Sequence, residues 1–249
     1  MGRYSSLHLF DVEKFYSIIV PELKGERGDL TSVYKEFLLF HVTGNTRDMS
    51  DSTIDRMVEE KLSSLFQISG MLNDEFMDCP ERLAIKGLRE REEYPYQLKG
   101  HYDFCRFLEY YIFKTCADYD PFIGLGKGNV YDRIGAVKGS LAESVFSRFG
   151  AWNVMLYQEM GIVNWLLPDE LPLLYHDLEN IPSEDNALAE GFKKLLKIAY
   201  ERGLSLIRGV DLVYHNRQIL PSGKLLSTDT WEPLSQGGLW LGRSPEQTV

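Results

Sequence analysis

With 249 residues, of which 44% are apolar and 26% charged, the chain can bury a substantial core without disulfides or structural metals, and wholesale disorder is excluded. Its net charge of −10 makes nucleic acid an unfavourable partner, because an acidic surface repels phosphate. No apolar run approaches the length of about 18 residues that suggests a membrane span, and the N-terminus lacks the apolar core of a signal peptide. The three cysteines are widely spaced and odd in number, which is typical of reduced thiols, so we expect a cytoplasmic protein.

The first half of the chain predicts one strand followed by helices. Residues 4–10 alternate loosely and favour a short strand. Asp11 is a candidate N-cap for a helix that Pro21 ends. Apolar residues at three- and four-residue spacing predict a second helix over 30–38, and a capping-box-like start at Ser52 predicts a third.

The middle of the chain continues this helical pattern. Residues 101–116 are the most aromatic stretch and predict a largely buried helix, whereas the glycine-rich residues 122–139 indicate a loop. Three further helices are predicted over 140–160, 169–180 and 187–202, and the last of these closes at Gly203.

Branched aliphatic residues over 204–214 predict a strand, and Pro221-Ser222-Gly223 between short apolar runs indicates a C-terminal hairpin over 218–227. Neither a repeat nor a linker-like change of composition divides the chain. We therefore predict a single, mostly helical α+β domain over 1–249, with a small antiparallel sheet formed by the N-terminal strand and the C-terminal hairpin. A subdivision, if present, would fall near 161–168.

No pattern in the chain matches a known catalytic signature, so we assign no catalytic residue, no metal and no cofactor. His101, Cys105 and Cys116 share one helix face, and a histidine and a cysteine one turn apart can both bind zinc. However, Cys105 and Cys116 would lie roughly 16 Å apart along the axis, too far for a common ion. Structural core thiols are the favoured interpretation. A thiol activated by a neighbouring histidine stays open for Cys79, Cys105 and Cys116.

A glycine-rich segment over 118–133 is the candidate ligand site. Its glycines could let backbone amides approach a phosphate, with basic side chains neutralising charge, and its aspartates could hold a divalent cation. The candidate residues are Asp118, Asp120, Gly124, Gly126, Lys127, Gly128 and Arg133. The spacing matches neither the P-loop nor the dinucleotide-binding fingerprint, so a surface loop is the favoured alternative.

Large aromatic residues and an arginine near the C-terminus are the candidate partner-binding set: Tyr214, Trp231, Trp240 and Arg243. Tryptophan and arginine in irregular segments are typical of interface hot spots. A tail packed across the core would explain them equally well.

Two stretches resemble the C-terminal half of YfbM-like bacterial proteins. The first is Leu167-Pro168-Asp169-Glu170-Leu171 at a helix start, and the second is the helix of residues 192–203 that leads into a strand over 204–210. The Met1-Gly2 opening is also similar, whereas the region 75–140 departs from the family pattern. Related small acidic bacterial proteins look like immunity proteins, so the resemblance implies binding to a partner and no chemistry.

Together these observations predict a non-enzymatic, immunity-like cytoplasmic protein that binds a protein partner, a basic one given the charge, and neither nucleic acid nor membrane. The alternative is a small-molecule enzyme or binding protein that uses residues 118–133 for a phosphorylated or nucleotide-like ligand.

Overall fold

The computed structural model of the chain describes residues 4–23, 25–41, 50–71, 102–117, 119–120, 122–127, 137–150, 161–166, 169–181, 187–210, 224–225 and 240–241. In this part of the chain helices predominate and surround an antiparallel sheet, which confirms the predicted α+β class. None of the described helices combines the length and apolar character needed to cross a membrane.

The helices come in two groups along the chain. The first group is α1 (Val12–Lys14), α2 (Val20–Leu23), α3 (Leu30–His41), α4 (Asp51–Met71) and α5 (Tyr102–Cys116), with a π-helical turn over Phe15–Ile19 between α1 and α2. The second group is α6 (Leu141–Gly150), α7 (Glu170–His176) and α8 (Ala187–Glu201), with a 3-10 turn over Leu178–Asn180 after α7.

The strands are β1 (Tyr4–Phe10), β2 (Tyr119–Asp120), β3 (Phe122–Lys127), β4 (Gly161–Trp165), β5 (Ser205–Val210), β6 (Lys224–Leu225) and β7 (Trp240–Leu241). Five of them form one sheet in the order β4-β5-β1-β3-β7, and all of its neighbouring strands are antiparallel. The other two, β2 and β6, pair in parallel as a separate sheet.

The main sheet lies between the two groups of helices. On one face, Phe10 and Ile207 belong to a core cluster that includes residues of α1 to α5. On the other face, Leu7, Leu9 and Leu206 belong to a second cluster with residues of α6 to α8. Because successive side chains of a strand point to opposite faces, the central strands β1 and β5 are buried on both sides.

The first helical segment confirms the predicted cap and corrects the predicted end. The Asp11 side chain caps α1, because its Oδ1 accepts a hydrogen bond from the Lys14 N–H at 3.0 Å. Pro21 does not end the helix, which continues through the π-helical turn to Leu23. Proline lacks an N–H and its ring clashes with the carbonyl four residues earlier. The wider turn directly before Pro21 relieves this conflict.

Two other helix boundaries also test the sequence predictions. At the end of α8, Gly203 has φ 64°, Leu204 N–H donates to the Ala199 carbonyl at 2.8 Å and Gly203 N–H donates to that of Tyr200 at 3.2 Å. This is a Schellman motif, so the predicted closure at Gly203 is confirmed. The third predicted helix begins one residue before Ser52, since α4 starts at Asp51 and the residue before it, Ser50, accepts from the Thr53 N–H.

The structure adds detail to the predicted sheet in three places. The N-terminal strand β1 pairs with β5. Of the hairpin predicted over 218–227 the structure describes Lys224–Leu225, which form β6 and pair in parallel with β2, so the hairpin itself stays a prediction. Residues 122–127, predicted as loop, form β3, which provides a neighbour for β1 on the side away from β5. The range 161–168, considered as a boundary, contains β4, which pairs with β5.

Burial of β1 on both faces has a direct consequence for stability. Leu9→Ala and Phe10→Ala should each lower the free energy of unfolding by about 2–5 kcal/mol, because each change leaves a cavity in a different core cluster. Chemical denaturation measures both values. The control is Leu39→Ala, which removes a side chain that is 41% exposed and should change stability by no more than about 0.5 kcal/mol. A near-neutral result for either core variant would contradict the three-layer arrangement.

Candidate functional site

The structure describes four of the seven residues predicted to bind a ligand. Asp120 lies in β2, and Gly124, Gly126 and Lys127 lie in β3; the other three, Asp118, Gly128 and Arg133, lie outside the described residues. Gly124 stands opposite Ser6 and Gly126 opposite Ser5 in the ladder with β1. An antiparallel ladder directs backbone amides alternately to its two sides and not toward one common anion. The expected loop is therefore a strand over 122–127, and binding of a ligand by these residues stays a prediction.

The predicted partner-binding set is described only in part. Trp240 lies in β7, where its backbone pairs with Ile123 at the end of the sheet. Tyr214, Trp231 and Arg243 lie outside the described residues, so their role stays a prediction.

Among the predicted thiol and imidazole groups, Cys116 is a fully buried cysteine at the end of α5. Cys105 lies in α5, while Cys79 and His101 lie outside the described residues. In the part of the chain that the structure describes, no group of three histidine, cysteine or acidic residues could hold a metal ion.

A buried polar pair that the sequence reading did not single out lies on β1. Ser6 Oγ and His8 Nε2 are 2.8 Å apart and share a hydrogen bond, and the two residues are 0% and 2% exposed. The imidazole ring stacks on Phe122 at 4.7 Å and meets the Phe113 ring edge-on at 4.9 Å. Burial lowers the pKa of His8 to about 3, so the ring is neutral at physiological pH.

A second buried polar group, the Glu109 carboxylate, connects α5 to β4. Its Oε1 accepts a hydrogen bond from the Ile162 N–H at 3.0 Å, and its Oε2 accepts one from Arg106 Nη1 at 3.2 Å. Glu109 is 1% exposed. Burial raises the pKa of Glu109 to about 7, against the opposing effects of Arg106 and the Ile162 amide.

Gly161 makes room for this carboxylate. Its φ is 99°, a conformation that favours glycine, and a Cβ atom added there would lie 1.6 Å from Glu109 Oε1. The carboxyl group thus fills the space that any side chain at position 161 would need.

Both polar groups lie between α5 and the sheet. Phe113, which touches His8, is one helical turn from Glu109, and further along the same helix the Cys116 carbonyl accepts from the Asp11 N–H at 2.7 Å. A serine beside a histidine is the geometry of an activated nucleophile. Here, however, the pair is sealed from solvent, and a base with so low a pKa takes up protons poorly at neutral pH. The pair is therefore best explained as a satisfied hydrogen bond in the core.

An exposed aromatic patch lies on the opposite helical layer, where α7 meets α8. Tyr175 and Tyr200 stack with ring centroids 4.0 Å apart and an interplanar angle of 10°, and the His176 ring meets Tyr200 edge-on at 5.8 Å. Leu173, on the same short helix as Tyr175, is 42% exposed and Tyr200 is 36% exposed. These four residues are called the aromatic patch below. The apolar spacing of α7 and α8 predicts which side of each helix is buried. It does not predict that Tyr175 stacks on Tyr200, because that contact depends on how the two helices pack against each other.

No protein-family model, curated protein or solved structure matches the chain. The resemblance to YfbM-like proteins accordingly stays a prediction.

The contact between Gly161 and Glu109 can be tested with two glycine variants. Gly161→Ala and Gly203→Ala both introduce a side chain at positive φ, which costs about 1–2 kcal/mol. Position 203 has open space around it, whereas the new methyl group at 161 meets the buried carboxylate. We expect Gly161→Ala to lower the free energy of unfolding by about 1–3 kcal/mol more than Gly203→Ala, as measured by urea denaturation. Equal effects would show that Glu109 does not occupy this space.

The neutral, buried state of His8 predicts a specific pH dependence. Its folded pKa of about 3 lies below the ordinary histidine pKa of 6.5, so the stability it supports is complete above pH 6.5 and is lost as the pH falls toward 3. Relative to His8→Gln, the wild type should lose about 1.4 kcal/mol of unfolding free energy per pH unit in this window. Glu109 is present in both proteins, so its opposite contribution cancels in the difference. Parallel stability curves for the two proteins would refute the assignment.

Proposed function

We propose that this chain is a non-enzymatic cytoplasmic protein that binds another protein, and that the aromatic patch contacts the partner. The single observation that carries the proposal is a face-to-face stack at the surface, in which the partly exposed Tyr175 lies against the exposed Tyr200. Tyrosine is enriched at protein interfaces because its ring buries a large area and its hydroxyl can still form hydrogen bonds. Stacking also limits the rotamers of both rings before binding, which reduces the entropy lost on association.

The partner is a basic protein, in the manner of a toxin bound by an immunity protein. A net charge of −10 favours the approach of a positively charged surface and accelerates encounter. At the patch itself, lysine or arginine side chains of the partner can lie against the tyrosine rings through cation–π contacts. Lys197 lies three residues before Tyr200, and its positive charge could repel a basic partner. Lys197 pairs with Glu201 at 3.8 Å, however, so this charge is offset.

The catalytic alternative has no specific observation in its favour. The reactive groups His8, Glu109 and Cys116 are buried within the core layers, and Gly124 and Gly126 belong to a strand. A ligand at the segment 118–133 would have to be bound through residues outside those described.

Affinity purification with the tagged full chain from lysate of the native host tests the binding proposal. The wild type should retain one stoichiometric protein, and raising the salt from about 50 to 500 mM should weaken the complex because a basic partner is held in part by screened charges. Tyr175→Ala combined with Tyr200→Ala should weaken binding at least tenfold, since aromatic residues dominate interface energies.

The matched control is Leu39→Ala on α3, in the other group of helices, which removes an apolar side chain that is 41% exposed and should leave binding unchanged. Circular dichroism confirms that both variants fold. Equal binding by the tyrosine variant, or no stoichiometric partner at all, argues against the proposal. A rise in melting temperature with a nucleotide, a sugar phosphate or a divalent ion would favour the small-molecule alternative.

A further inference from the structure

The contact between Glu109 and the start of β4 is built from the carboxyl group of one element and the backbone of another. One oxygen binds the Ile162 amide, and the same oxygen occupies the position of a side chain at Gly161. The other oxygen binds Arg106, three residues earlier on α5. The Glu109 side chain thus links the helix to the backbone of the strand, beside the apolar contacts of Ile162 and Trp165.

The surroundings of this carboxyl group contain little charge to compensate its own. From α5 the facing cation is Arg106, whose side chain is 16% exposed. From β4 the described side chains, Ile162 and Trp165, are apolar. On β1, the titratable group that contacts α5 is His8, which meets Phe113 and whose pKa of about 3 leaves it neutral.

The two protonation states of Glu109 differ in cost. When the group is neutral, its Oε1 still accepts from the Ile162 N–H and no charge is buried. When it is ionised, the carboxylate has lost its hydration, and one partly exposed arginine must offset that loss. Moving the carboxylate into water would restore its hydration. Burial accordingly raises the pKa of Glu109 from 4.5 to about 7. The stability that this group supports is complete below pH 4.5 and is lost as the pH rises through 7.

We propose that Glu109 and the Gly161–Ile162 backbone form a proton-operated latch, which holds α5 against β4 when the carboxyl group is protonated and opens locally when it is ionised. The latch acts near neutral pH and is separate from the aromatic patch, which lies on the other helical layer. It therefore does not depend on the proposed binding function.

Hydrogen exchange of the intact protein at pH 5.5 and 8.5, corrected for the intrinsic pH dependence of exchange, measures the opening. If the carboxyl group has its ordinary pKa of 4.5 in the open state, the opening equilibrium of the 161–166 amides should increase on the order of thirtyfold over this range. The amides of α8, over 187–201, should keep their protection. In the same protein, the carboxyl carbon of Glu109 should titrate with a midpoint near pH 7 in a carbon-detected NMR experiment.

Glu109→Gln is the variant that removes the titration, because the amide keeps an oxygen acceptor for Ile162 and cannot ionise. Its 161–166 amides should show no corrected pH dependence. The matched control is Glu143→Gln, an exposed glutamate on α6 that should behave as the wild type. The latch is refuted if wild-type opening is constant with pH, if Glu109→Gln shows the same increase, or if α8 opens equally. Should Glu109→Gln not fold, wild-type exchange measured also at intermediate pH values decides together with the NMR titration. The opening equilibrium must then reach half of its maximum at the pH at which the Glu109 carboxyl carbon is half titrated, and a mismatch refutes the latch.

Discussion

The structure depends on the burial of β1 and β5 on both faces. Two helical layers cover the sheet, so the side chains described on these strands, over 5–10 and 205–210, cannot form hydrogen bonds with bulk water. An unsatisfied buried group costs about 1–3 kcal/mol, which favours internal partners for polar side chains. Ser205 Oγ donates to the Leu166 carbonyl at 2.8 Å, whereas the buried Ser5 Oγ has no hydrogen-bond partner among the described residues. The hydrogen bond between Ser6 and His8 follows from this constraint, as does the neutral state of the imidazole ring.

The same constraint explains why Glu109 has an unusual proton affinity. A carboxyl group inside a layer of aromatic side chains is stabilised only by what reaches it from neighbouring elements, here Arg106 and the Ile162 amide. Glycine is required at position 161, because the side chain of any other residue would occupy the space of the Glu109 carboxyl group. The proposed function lies elsewhere, on the outer surface, because the stack of Tyr175 on Tyr200 offers contact area that the interior cannot.

Helices were the most predictable part of the fold. The apolar spacing over 30–38, the aromatic run that ends at Cys116 and the closure at Gly203 all depend on interactions within a few residues, and the structure contains each of them. The prediction that Pro21 ends the first helix was wrong, because a π-helical turn relieves the steric clash of the proline ring. Such a turn has no simple signature in the sequence. The candidate site was less accessible. Glu109 was visible as a lone charge among Phe107, Leu108 and Tyr110, but nothing near it in sequence indicates Gly161 as its neighbour.

By itself, the sequence determined the α+β class, most helices, the first strand and the acidic charge, since these depend on composition and on contacts between near neighbours in the chain. Only the tertiary structure decided that residues 122–127 are a strand, that Glu109 meets Gly161, and that Tyr175 stacks on Tyr200. Those contacts join residues that are distant along the chain. Their pairing is selected by the packing of whole elements, and no local pattern of residue types encodes it.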